Sequence, residues 1–138
     1  MQGRGTMKAI DFVKAAFLAV LILVVNVAIS FGVVAVYAYA VEPGHDQAFY
    51  ELAAQWIAPW SSIAFGWVLF LGVCYGAAKR NAERNALTFA LCVFAAYAAI
   101  DVGLLFAAGM STSLAPIVAL SLTSKAAGAI GGVWMAGR

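Results

Sequence analysis

Charge is scarce in this sequence. Only 10% of its residues are Asp, Glu, Lys or Arg, against 65% that are hydrophobic. A soluble domain of this length needs a polar surface, so soluble globular classes are excluded. The balance of eight basic and six acidic residues, net +2, supplies no basic patch for nucleic acid. Alternating polarity in segments of about ten residues is missing too, which excludes a membrane β-barrel. There is one histidine, and the two cysteines, Cys74 and Cys92, match no metal or redox spacing, so they are expected to be small buried thiols. No Ser–His–Asp set, paired acid/base carboxylates, Walker loop or metalloprotease helix is present, so no catalytic residue, metal or cofactor is expected.

What is present is apolar sequence in four runs, roughly 15–41, 57–78, 86–108 and 114–137. Each reaches the length of about 20 residues that crosses about 30 Å of hydrocarbon at 1.5 Å per residue. Backbone polar groups in lipid must be satisfied within the segment, so each run is expected to be an α-helix. The chain is therefore read as one all-α, integral membrane domain over 1–138, a four-helix bundle of antiparallel up-down spans. The first run follows a basic leader, and Ala38-Tyr39-Ala40 resembles a signal cleavage site. Its apolar stretch far exceeds the about 7–15 residues of a signal h-region, which favours a retained spanning helix.

Orientation follows from the basic residues. Arg4, Lys8 and Lys14 precede the first run, Lys79, Arg80 and Arg84 separate the second from the third, and Arg138 ends the chain. The connections on the other side, 42–56 and 109–113, contain no Lys or Arg. This asymmetry places both termini in the cytoplasm of a cell with a bacterial-type inner membrane.

Between the first two runs, Pro43 and Gly44 signal a turn, and Asp46 is placed to cap a short helix with Phe49, Leu52, Ala53 and Trp56 on one face. That helix is expected to lie in the interface plane, with Trp56 and Trp60 in the aromatic belt and Pro59 in the first turn of the second span. The short connections make the second and third helices neighbours, and likewise the third and fourth. Ser111 or Ser113 is expected to cap the fourth, with Pro116 in its first turn. His45 stands beside Glu42, Asp46 and Glu51, a set read as a solvated acidic turn rather than a divalent-ion site.

Small residues mark packing faces at Gly72-x3-Gly76 and at Ser124-x3-Gly128-x3-Gly132, where two backbones can approach closely. They serve contacts inside the bundle or with another subunit. Asp101 interrupts the third run and Lys125 the fourth. Each ionisable residue at a helix centre costs about 2.5–3.5 kcal/mol on insertion scales, and pairing offsets part of that cost. Asp101 is thus expected to pair with Lys125. Asn26 and Ser30 on the first run, Tyr97 on the third and Ser121 on the fourth share the faces that would converge on this pair.

The resulting expectation is binding or passage of a small solute or ion through a homo-oligomer, with Asp101, Lys125, Asn26, Ser30, Tyr97 and Ser121 as the site. Two alternatives stand beside it: an accessory subunit bound to other membrane subunits, and a membrane enzyme acting on a lipid-soluble substrate. The lipid bilayer is a partner in every case. Small multidrug exporters share the helix count but carry their carboxylate in the first helix, where this chain has Asn26. The glycine- and arginine-bearing pattern of fluoride channels is missing. Ser121–Gly132 is similar to the retinal-binding helix of microbial rhodopsins, but that family needs more helices than this chain supplies.

Overall fold

The computed structural model describes residues 6–81, 85–109 and 112–138. Among them there are four long helices and no strand: α1 (Ala9–Val36), α2 (Gln47–Arg80), α3 (Ala86–Ala107) and α4 (Ala115–Ala136). All four are long and apolar enough to cross a membrane. Arg4, Arg84 and Ser111, invoked for orientation and capping, lie outside the described residues.

α1 runs into a π-helical turn, Tyr37–Val41, and the chain then reverses at Gly44, whose φ of 90° suits a residue without a Cβ. The Tyr50 hydroxyl fastens this reversal, donating to the carbonyl of Glu42 at 2.8 Å and accepting the His45 N–H at 3.2 Å. Asp46 caps α2 by accepting the Phe49 N–H at 3.0 Å, and Asn85 caps α3 through Thr88 at 3.1 Å.

Two local expectations are corrected here. The segment carrying Phe49, Leu52 and Trp56 is no separate interfacial helix, because α2 is continuous from Gln47 to Arg80. Its apolar face runs without interruption from Ala53 and Ile57 into Ser61, so packing holds the helix together through Pro59, which sits well inside it and not in its first turn. At the start of α4 the cap position falls to Leu114, after a 3-10 turn over Thr112–Leu114, so Ser113 does not occupy it; Pro116 does fall in the first turn.

The helices form a ring. α1 packs against α2 and α3, and α4 packs against the same two, so α2 and α3 stand diagonally and touch little despite the short connection between them. The expectation that they are close neighbours is thereby corrected, because glycines on α4 draw α2 to that side. A Cβ on Gly128 would collide with the Trp67 carbonyl, and one on Gly132 with the backbone of Leu71 and Tyr75. Ser124 adds a bond across the same seam, its hydroxyl donating to the Ile63 carbonyl at 3.1 Å. The order of these pairings, 124 with 63, 128 with 67 and 132 with 71, shows α2 and α4 running parallel.

The buried core is narrow. Ala15, Ala19 and Ile22 of α1 meet Phe70, Phe89, Ala90, Val93 and Tyr97 along the axis. Large apolar side chains such as Phe12, Val24, Trp60, Phe106 and Trp134 point outward. An exterior of this kind is costly in water and suited to hydrocarbon.

Candidate functional site

Polar side chains from all four helices meet midway along the bundle. Lys125 is at their centre and is fully buried, at 0% exposure. Its stem lies over Gly66 of α2, where even a Cβ would come within 2.5 Å of Lys125 Cε. Its ammonium donates to Ser62 Oγ at 2.9 Å and to Ser121 Oγ at 2.6 Å, and stands 5.0 Å from the centroid of the Tyr97 ring. Two hydroxyl acceptors and an aromatic face together offset much of the cost of burying this cation.

Asn26 of α1 joins the cluster from the opposite corner. It is 4% exposed. Its amide nitrogen donates to Ser62 Oγ at 2.8 Å and to Tyr97 Oη at 3.2 Å, so Ser62 receives bonds from both Lys125 and Asn26. The Asn26 amide oxygen is buried without a hydrogen-bond partner among the described residues. One turn further, the Ser30 and Ser61 hydroxyls share a 2.9 Å bond, and Ser61 also donates to the Ala58 carbonyl at 3.0 Å. Tyr97 is fixed from below by an edge-to-face contact with Phe70, at 5.1 Å between centroids.

The predicted direct pair does not form. No Asp101–Lys125 contact lies within 4.0 Å, and among the described residues no hydrogen bond or ion pair reaches Asp101. The two charges remain within Coulombic range of each other. The physical reason is local: Ser62 and Ser121 lie closer to the ammonium and occupy two of its three donors. Asp101 instead faces a cavity of about 380 Å³, of the size that takes a small ligand. Asn26, Ser30, Ser62, Asp101 and Ser121 supply its polar surface, and apolar side chains such as Val27, Phe31, Leu105 and Val118 supply the rest. Lys125 does not line it; the ammonium sits behind the two serine hydroxyls.

The six residues expected at the site lie in or beside this cluster: Lys125 bonds Ser121, Asn26 bonds Tyr97, Ser30 bonds Ser61, and Asp101 lines the cavity without bonding any of them. Ser61, Ser62 and Gly66 were missed. A signal existed: Ser62-x3-Gly66 repeats the small-residue spacing noted elsewhere, and Ser61 and Ser62 are the only hydroxyl residues between Trp60 and Cys74 in that apolar run. Of the expected packing residues, Ser124, Gly128 and Gly132 serve the α2–α4 seam. Gly72 and Gly76 do not pack against the described residues, since a Cβ at either would meet none of them within 4 Å.

At the far end of the bundle, His45 Nε2 is 3.3 Å from Glu42 and its ring stacks on Phe49 at 3.9 Å. Asp46 is used as a cap and Glu51 accepts from Gln47 at 2.7 Å. Among the described residues no group of three His, Cys, Asp or Glu is placed to hold a metal. Cys74 and Cys92 are both free thiols.

These features define a four-helix protein of membrane-spanning proportions with a polar centre and a cavity opening beside it. Compared with known proteins, the chain matches no family model, no curated protein and no solved structure.

Proposed function

We propose that the protein crosses a bacterial-type cytoplasmic membrane four times with both termini inside, and that as a homo-oligomer it binds and passes a small cationic solute. The observation that carries this reading is a carboxylate without a partner. Asp101 lines the cavity, among the described residues no hydrogen bond or ion pair reaches it, and Asn26, Ser30, Ser62 and Ser121 add polar surface to the same cavity. An intramembrane carboxylate without a contact partner is costly, and a cation entering the cavity relieves that cost while its N–H or water shell bonds the serine hydroxyls of the lining.

Lys125 has a complementary role in this scheme. Held behind Ser62 and Ser121, it balances Asp101 when the cavity is empty and repels a cation that moves deeper. Release is thereby favoured, as passage requires binding that is not too tight. The apolar walls favour a solute with little hydration or with an apolar body.

The test is flux of methylammonium and of inorganic monovalent cations in proteoliposomes. Transport by the parent protein that is lost in Asp101→Asn, with helicity and thermal unfolding unchanged, supports the reading. No flux in the parent, or equal flux in the variant, rejects it and returns the accessory-subunit alternative to first place.

A further inference from the structure

A second cavity lies at the opposite end of the bundle, and the cation site does not use it. This groove, about 630 Å³, runs between α1 and α2 and reaches Phe89 of α3. Its apolar part is formed by Phe17, Leu18, Gly72, Val73 and Gly76, where the two glycines leave a trough that no side chain of the described residues fills. Its rim carries Lys14 and Arg80, both exposed, and among the described residues no acidic one lines it. Asp11, one turn before Lys14, is buried and accepts the Lys8 backbone N–H at 2.9 Å. From Arg80 to Gly72 the trough descends roughly 12 Å at 1.5 Å per residue, so cations mark one end and bare helix backbone the other.

We infer that this groove is a binding site for an anionic phospholipid, with the headgroup phosphate between Lys14 and Arg80 and one acyl chain lying along Gly72 and Gly76. The charge pattern decides between this occupant and a second copy of the chain. A two-fold interface would set Lys14 and Arg80 against the same pair on the partner, with no acid among the described lining residues to separate them. An acyl chain needs no polar partner and fits a trough without side chains, and basic groups at a membrane surface attract anionic headgroups. The inference rests on the membrane reading and is independent of the cation site.

The experiment is native mass spectrometry of the delipidated full chain, titrated with short-chain phosphatidylglycerol or with phosphatidylcholine of equal chain length. A single phosphatidylglycerol is expected to bind, roughly thirty-fold more tightly than phosphatidylcholine. The Lys14→Gln/Arg80→Gln double variant removes that preference. Gly76→Leu fills the trough and leaves both charges, so binding of both lipids falls while the fold is kept. Equal binding of the two lipids by the parent, or an unchanged preference in the double variant, overturns the assignment. A lipid-free dimer that dissociates on Gly76→Leu also overturns it, in favour of a second copy.

Discussion

Gly128 and Gly132 on α4 have the same spacing as Gly72 and Gly76 on α2, yet their surroundings are opposite. The α4 pair is pressed against the backbone of α2, where a methyl group has no room, whereas the α2 pair opens on a trough with nothing within 4 Å. Small residues every fourth position therefore state that a close approach is possible. They do not state what approaches. In one case it is a helix of the same chain, and in the other we assign it to lipid. The polar centre lies on the tight seam, since Lys125 rises from α4 beside Gly128 and can reach Ser62 only because α2 is so near.

Substitutions can break this contrast at graded cost. Lys125→Ala is expected to do the most harm, about 2–5 kcal/mol, because it empties a space packed against Gly66. Lys125→Met, which keeps the stem and removes the charge, should stay within about 1.5 kcal/mol of the parent. Denaturant unfolding in detergent measures both, and equal losses would mean that charge and not packing holds the seam. Next comes Gly132→Ala, which forces a methyl group on the backbone of Leu71 and Tyr75 and should cost about 1–3 kcal/mol. Tyr97→Phe follows at about 1 kcal/mol, since the Asn26 amide loses an acceptor while the ring contacts with Phe70 and Lys125 persist. The smallest effect has the opposite sign: Gly76→Ala should stabilise α2 by about 0.4–1 kcal/mol in thermal unfolding, having no clash to set against the gain in helix propensity. A Gly76→Ala loss as large as that of Gly132→Ala would erase the contrast.

The four helices and the residues of the polar centre were legible because both depend on what lipid forbids. Long apolar runs must be helical, and the few polar groups within them must find one another, which brought Asn26, Ser30, Tyr97, Asp101, Ser121 and Lys125 into two adjacent turns of the bundle. The partner of each was not legible. Placing Lys125 opposite Asp101 assumed that unlike charges seek direct contact, but serine hydroxyls on the tighter seam were nearer, and those hydroxyls depend on the ring order of the helices. That order was hidden as well. Short connections suggested α2 beside α3, whereas the glycines of α4 draw α2 to α4. The Pro59 boundary failed for a related reason, because a proline ends an isolated helix more readily than one packed along its whole face.

The central claim is that the cavity beside Asp101 takes a cation, and, because the proposed topology puts that cavity in the outer half of the bundle, cysteine accessibility from outside tests it directly. In a Cys74→Ala/Cys92→Ala background, Val118→Cys is placed on the cavity wall and Ile130→Cys on the exposed exterior of the same helix. A membrane-impermeant cationic thiol reagent is then added outside proteoliposomes, with and without methylammonium. The account predicts that Val118→Cys reacts, that methylammonium slows the reaction, that the slowing vanishes with Asp101→Asn, and that Ile130→Cys stays unmodified. Failure of Val118→Cys to react, or a rate indifferent to both methylammonium and Asp101, would contradict it.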